Sequence, residues 1–211
     1  MKIFNLKPPR LWYQRPYTTH SNEESNVKYG FSNLLKDIKL TNQDINQVWS
    51  CDLSYLKFKQ RYYYLSIVKD IVSGAVVGFG LSTSHNAQLT IESIHQALDR
   101  SGNQPALIVH FDQGTENLNQ STINFLKAHQ LKISVSDKAS PWQNCWVESF
   151  FSRFKAEVGN LNRFDNEGEL IAYIYEYINY YNKDRIQLRL KMSPYQFIKH
   201  HQPNHPLLKT L

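Results

Sequence analysis

Three carboxylates stand out in a chain that is otherwise basic: Asp52 in VWSCDLSYLKF, Asp112 at the end of LIVHFD, and Glu148 in SPWQNCWVESFFSRFKAEVG. Between Asp112 and Glu148 lie 35 residues, room for a helix, a strand and a loop, so the segment bearing Glu148 can fold back over the strand tip bearing Asp112. Three acids packed together repel one another and stay partly protonated unless a cation joins them. Hard divalent cations take oxygen ligands, and Mg²⁺ keeps only a few carboxylates while water and substrate phosphate fill the rest of its shell. Two such ions about 3.5–4 Å apart can activate an attacking oxygen and stabilise the leaving one in an in-line phosphoryl displacement. Taken singly, each residue has a plainer reading. Asp52 is then a solvated strand residue, Asp112 a turn acceptor or helix cap, and Glu148 a surface charge with a partner four or seven residues on. Order and spacing favour the joint reading.

The elements that must position these acids are legible from periodicity. Trp49, Cys51, Leu53 and Tyr55 alternate with Ser50, Asp52 and Ser54, the period of a strand with one apolar face and Asp52 on the polar one. Lys59-Gln60 fits a hairpin turn into RYYYLSIVKD, and Ser73-Gly74 turns into AVVGFGLS, so three antiparallel strands are expected in succession. A helix follows, with Leu89, Ile91, Ile94 and Leu98 on its apolar face and Gly102 as its stop. LIVHFD is a fourth strand whose unbroken apolar run reads as buried on both faces, and its C-terminal tip is where α/β sheets place ligand sites. STINFLKAHQ is a helix and LKISVS a fifth strand. Ser140 and Gln143 fit a capping box with Pro141 at the first helical position, opening a helix over about 141–158. Val147, Phe150, Phe151, Phe154 and Val158 share its apolar face, which leaves Glu148 beside Asn144, Ser152 and Lys155. A Tyr-rich helix, EGELIAYIYEYINYYN, reads as packing, with Leu170, Tyr173, Ile174, Tyr177, Ile178 and Tyr181 in its stripe. The basic segment KDRIQLRLKMSP then leads to a short apolar stretch and a His/Pro-rich end. The element order is mixed α/β.

Composition is that of a globular protein, 41% hydrophobic and 20% charged, which excludes a disordered chain. The net charge of +6 points to a polyanionic partner, with Lys and Arg on the phosphate backbone around an acidic, metal-filled pocket. Two cysteines, Cys51 and Cys145, stand far apart with no zinc-type spacing, so a reducing, cytoplasmic setting is expected and no disulfide framework. The most apolar window, YYYLSIVKDIVSGAVVGFGL, is broken by Lys69, Asp70 and Ser73-Gly74 and reads as two strands; neither a membrane span nor a signal peptide is expected. Residues 1–45 read as an N-terminal arm or linker, 46–200 as the core and 201–211 as a C-terminal tail.

The segments NQVWSCDLSYL, HFDQGTEN and SDKASPWQNCWVESFFSRFKAE together resemble the catalytic core of DDE transposases and retroviral-type integrases. The nearest likeness is to second-frame proteins of bacterial insertion sequences whose two frames are joined by ribosomal frameshifting. It spans about residues 30–199, including NLLKD before the core and YYNKDRIQLRLKMSPYQF after it. The resemblance implies a ribonuclease-H-like fold, a five-stranded mixed sheet flanked by helices. It implies Asp52, Asp112 and Glu148 as catalytic residues and as ligands of two Mg²⁺ ions once DNA is bound, with Mn²⁺ as a substitute. The implied reaction is cleavage at element ends by water, then transesterification of target DNA by a DNA 3′-hydroxyl, without a covalent protein–DNA intermediate. Lys138, Asn144, Arg153 and Lys155 are the implied nucleic-acid contacts, Asn144 also shaping the site. Implied partners are DNA ends and target DNA, further copies of the chain, and a first-frame helix-turn-helix protein. Where the family often has an aromatic residue this chain has Asn117, and where it often has His this chain has Gln187. Two alternatives stay open from the sequence: a nuclease of the same fold without strand transfer, and a non-catalytic DNA-binding remnant using Lys138, Arg153, Lys155, Arg163 and Arg189.

Overall fold

The structure is a computed structural model, and it describes residues 30–102, 107–112, 118–138 and 140–210. The chain divides into two compact units, Met1–Gly30 and Phe31–Leu211. The first lies outside the described residues except for Gly30, and most of the expected N-terminal arm lies there with it.

The second unit is built on five strands: β1 (Val48–Phe58), β2 (Arg61–Asp70), β3 (Val76–Ser82), β4 (Ile108–Phe111) and β5 (Lys132–Val135). Their order in the sheet is β3-β2-β1-β4-β5. The first three are antiparallel, joined by a hairpin with Lys59 at φ 53° and a turn with Gly74 at φ 71°. Strands β4 and β5 run parallel to β1. Asp70 fixes the second turn from inside: its buried carboxylate accepts from Ser73 N (2.8 Å), Ser73 Oγ (2.5 Å) and Asn46 N (3.0 Å).

Helices α1 (Ala87–Ser101), α2 (Gln120–Ala128), α3 (Cys145–Val158), α4 (Glu167–Lys183) and α5 (Pro194–His201) complete the unit. Helix α1 packs on β3 and β2. The approach is close because Gly78 has no side chain: a Cβ there would collide with the Ser93 carbonyl oxygen and the Ala97 side chain. The buried face of α1 uses Leu89, Ile94 and Leu98 as expected, together with the small Thr90, Ser93, Ala97 and Ser101, while Ile91 is only half-buried. As expected, Gly102 ends the helix in the left-handed region.

On the opposite face, α3 and α4 close the main core, where Leu65, Ile67 and Phe79 of the sheet meet Phe150, Phe154, Ile174 and Tyr177. All five residues expected on the apolar face of α3 are buried. Its start is different from the expectation. Pro141–Asn144 forms a 3-10 turn before the α-helix, and Ser140 makes no side-chain cap. Gln143 is drawn away to Asn33 and Asp137, so the sequence pattern of a capping box is present without the box. A true box forms instead at Ser193 and Gln196, opening α5 where the sequence showed only a short apolar stretch.

Within the second unit, residues just after Phe31 lie along the outer edge of β5: Val135 N donates to Ser32 O (3.1 Å) and Leu34 N to Ser134 Oγ (3.0 Å). Near the C-terminus a 3-10 turn, Pro206–Lys209, buries Leu207 against α1. Among the described residues no helix is long and apolar enough to cross a membrane.

Candidate active site

Strand β1 is central in the sheet, and this sets the site. Ser50 and Ser54, on what the alternation reads as the polar face, are buried, because α3 covers that face. Asp52 stands between them and is only partly covered. Pairing of β1 with β4 runs from Val48↔Ile108 to Cys51↔Phe111 and stops there. Asp52 and Asp112 are each the next residue of their strands. They therefore sit at matching positions where the parallel pair ends, at the C-terminal tip of β4 where α/β sheets gather their ligands. Asp52 Oδ1 accepts from Leu53 N at 2.7 Å. The Cys51 thiol reports both acids: burial, then the charges of Asp52 and Asp112, push its pKa up.

Glu148 lies in the first turn of α3, exposed, with Val147 and Phe150 buried on either side of it. The start of α3 is tied to the strands by a buried polar layer. Ser50 Oγ donates to Asn144 Oδ1 at 2.6 Å. Lys69 Nζ donates to the Trp146 carbonyl at 3.0 Å. His110, beside Phe111 and Asp112, bonds Ser134 Oγ through Nδ1 (2.8 Å) and Ser136 Oγ through Nε2 (3.0 Å), and its ring meets Trp146 edge-on at 6.2 Å. Burial pushes the His110 imidazole down to about 4, so it is neutral at physiological pH. Burial, then the Arg189 charge, lowers Lys69 to about 7.

The predicted DNA contacts are distributed unevenly. Lys138 and Arg153 are exposed and Lys155 half-buried, its ammonium 5.3 Å from the Tyr55 ring centre. Asn144 is different: it is 1% exposed and held by Ser50, so its place is beneath the site and not on a DNA-facing surface. Its Nδ2 is buried without an acceptor among the described residues. Asn117 lies outside the described residues, and Gln187 donates to Gly74 O at 3.2 Å. Ser50, Lys69 and His110, which form the polar layer beside the start of α3, were missed from sequence. The available signal was a polar residue inside an apolar strand run, as His110 is in LIVHFD.

The donor set suits a hard divalent ion: three carboxylates, with no thiolate or imidazole among them. His110 is spent on Ser134 and Ser136, and both cysteines are free thiols, Cys51 buried. The set is not a closed cage, since among the described residues no group of three or more His, Cys, Asp or Glu is close enough together to hold a metal. Asp52 and Asp112 form its strand-borne half, and Glu148 belongs to a separate element.

A five-stranded mixed sheet with this order and flanking helices defines a ribonuclease-H-like protein. Solved structures agree. The chain matches the simian T-cell lymphotropic virus intasome with a TM-score of 0.60 at 17% identity, covering 76% of this chain and 56% of that one. It matches the HTLV-2 integrase catalytic core, solved with magnesium, at 0.52 and 22% identity, covering 72% and 96%. Residues 43–141 match the model of the integrase core domain, and residues 148–201 match a second model of the same description. A transposase-like protein of Haemophilus influenzae is 34% identical over 154 residues, 72% of this chain and 70% of that protein. The transposase of insertion sequence element IS904 from Lactococcus lactis is 32% identical over 157 residues, 74% and 62%. The InsF transposase of IS3 in Escherichia coli is 33% identical over 163 residues, 75% and 57%. The chain belongs to the integrase-core family of transposases and integrases. It spans about 62% of the length of the IS904 relative.

Proposed function

We propose that this chain is the catalytic core of a DNA transposase, and that Asp52, Asp112 and Glu148 hold the divalent ions, Mg²⁺ or in its place Mn²⁺, for cleavage and strand transfer. The observation that supports the reading is the register of β1 and β4, whose last pair, Cys51 with Phe111, directly precedes Asp52 and Asp112. Bound ions would neutralise the carboxylates, lower the pKa of an attacking water or hydroxyl and stabilise the leaving oxygen. In the first reaction a water oxygen attacks phosphorus at the element end, the bond from phosphorus to the 3′ oxygen breaks, and a 3′-hydroxyl is left. In the second that hydroxyl attacks a phosphorus of target DNA, one phosphodiester forms, and the target strand's own 3′ oxygen leaves.

The chain's residues have separable parts in this. Asp52 and Asp112 supply carboxylate oxygens from rigid strands, and Glu148 supplies a third from α3. Ser50 and Asn144 fix the helix start to the strand that carries Asp52. Lys138, Arg153 and Lys155 contact phosphate. The intasome and the trimeric HTLV-2 form among the structural neighbours support an assembly of several copies on DNA. A first-frame helix-turn-helix protein is the proposed source of end recognition, and the setting is the cytoplasm, at the nucleoid.

The test is an assay with labelled element-end duplexes, a plasmid target, and Mg²⁺ or Mn²⁺. Nicking at the end together with joined product is the expected result, lost in Asp112→Asn. Cleavage without joined product would assign a nuclease of the same fold. Full activity in Asp112→Asn would overturn the site.

A further inference from the structure

A cleft of about 500 Å³ lies on the other flank of α3 from Lys155, walled by α3, the start of the β2–β3 turn and the loop after α4. Its lining includes Lys69, Arg153, Arg185 and Arg189 and no carboxylate. Glu157, just outside, is bonded to Arg185 at 2.6 Å and offsets one of these four charges. The ring of Tyr181 lies under both Lys69 (5.6 Å) and Arg185 (5.6 Å), and Trp146 adds a second aromatic wall.

The loop on the far side is held rigidly. Arg189 Nη2 donates to Val72 O (2.6 Å) and Ile71 O (3.3 Å), and Gln187 donates to Gly74 O (3.2 Å). This anchoring leaves Leu188 88% exposed and Ile186 63% exposed at the rim. Apolar side chains that open a base step, set between arginines that hold phosphates, are a recurrent way of gripping DNA. Guanidinium forks suit phosphate oxygens, and flat rings suit bases.

Position narrows the ligand further. Cys145, Ser149 and Arg153 line the cleft at four-residue spacing along α3, and Glu148 directly precedes Ser149. Successive helical residues rise only about 1.5 Å. Glu148 itself lies on the Lys155 flank, about 100° around the helix from Ser149, so DNA that spans both flanks of this turn would meet the acid and the cleft together.

We infer that this cleft is a second DNA seat, which takes phosphodiester backbone on the exposed Arg153 and Arg189 while Leu188 rests against a base. The inference rests on the transposase reading for its ligand, but not on catalysis. Burial first, and then the Arg189 charge, depress the Lys69 ammonium, and an anion in the cleft would oppose the Arg189 part.

The experiment is fluorescence anisotropy with a labelled DNA duplex in EDTA, read as a function of salt. Wild type is compared with Ser149→Glu, Arg153→Ala and Leu188→Ser. Asn124→Glu, the same change in charge at an exposed site on α2, is the control, and melting curves check folding. Ser149→Glu is expected to weaken binding about tenfold or more at low salt, and Arg153→Ala to lower the slope of log K against log salt by about one. Asn124→Glu should stay within about twofold of wild type. Unchanged affinity and slope in folded Ser149→Glu and Arg153→Ala would overturn the inference. So would loss of polyglutamate binding with DNA binding intact, which would assign the cleft to an acidic protein segment. Because metal is absent, a wild type that binds through the cleft but never cuts DNA defeats the catalytic reading alone. A wild type that cuts and joins, with Ser149→Glu binding normally, defeats the cleft alone.

Discussion

Cys51 pairs with Phe111, so Asp52 in β1 and Asp112, the first residue beyond β4, follow that pair at matching positions. The relationship depends on backbone hydrogen bonding and not on the carboxylates, so it should survive loss of either charge. Asp112→Asn and Glu148→Gln are expected to fold with melting temperatures close to wild type, and to lose both DNA cleavage and strand transfer. Titration with Mn²⁺ separates the two effects. An ion that binds only the folded chain stabilises it by RT ln(1 + [L]/Kd). Wild type should rise in melting temperature with Mn²⁺, and Asp112→Asn should rise less or not at all. An equal rise in both would remove Asp112 from the metal site.

The bond from Ser50 to Asn144 makes a second claim. Both residues are buried, and Asn144 already has an unpaired Nδ2. Ser50→Ala removes the hydroxyl that donates to the Asn144 carboxamide oxygen, and an unsatisfied buried amide costs about 1–3 kcal/mol. Urea melts should show a loss of that size. If the bond also aims α3, cleavage in Ser50→Ala should fall while the affinity for DNA in EDTA holds. A parallel fall in both would mean a general loosening of the fold.

The strands and helices were readable because their periods are local. The β1 alternation, the turn at Ser73-Gly74 and the apolar face of α3 each need only a dozen residues of context. What could not be read depends on neighbours distant in sequence. Ser50 looks solvent-facing until α3 is laid over it, and the same covering turns Asn144 from a DNA contact into a buried brace. Gln143 has the spacing of a capping residue, but Asn33 and Asp137 compete for its amide. Lys69 reads as a break in an apolar window, and only the fold shows it buried between Tyr181 and the Trp146 carbonyl. Spacing singles out the three acids as candidates, whereas the matching positions of Asp52 and Asp112 come from the pairing of β1 with β4.

Lys69 sets a pH dependence whose sign can be worked out. Its pKa is about 7 in the folded chain, against 10.5 for an ordinary lysine. Between those values the unfolded chain holds a proton that the folded chain lacks, so stability rises with pH across that window. Below about 7 both states are protonated and the penalty is at its full size. Asp70 and Cys145 pull the other way on this ammonium, and Arg185 and Arg189 push with burial. Other groups cancel if wild type is compared with Lys69→Met. The expected result is a variant more stable than wild type near pH 6, with the gap narrowing towards pH 10. A gap independent of pH would mean that Lys69 stays charged throughout.

Gly78 tests how β3 receives α1. A methyl group there would be driven into the Ser93 carbonyl oxygen and the Ala97 side chain, both on the helix. Neither obstacle is the flexible end of a long side chain, so relief requires α1 to move off the sheet. That movement would also stretch the 2.8 Å hydrogen bond between Ser66 and Ser93. Overpacking of this kind costs about 1–3 kcal/mol. Gly78→Ala should therefore lower the unfolding free energy obtained from urea melts by that amount. Gly159→Ala is the contrast: nothing lies within 4 Å of a Cβ there, although its φ of 69° carries backbone strain. Hydrogen exchange distinguishes the two, with faster exchange along α1 expected only in Gly78→Ala. Unchanged α1 protection in that variant would show that the helix absorbs the methyl group in place.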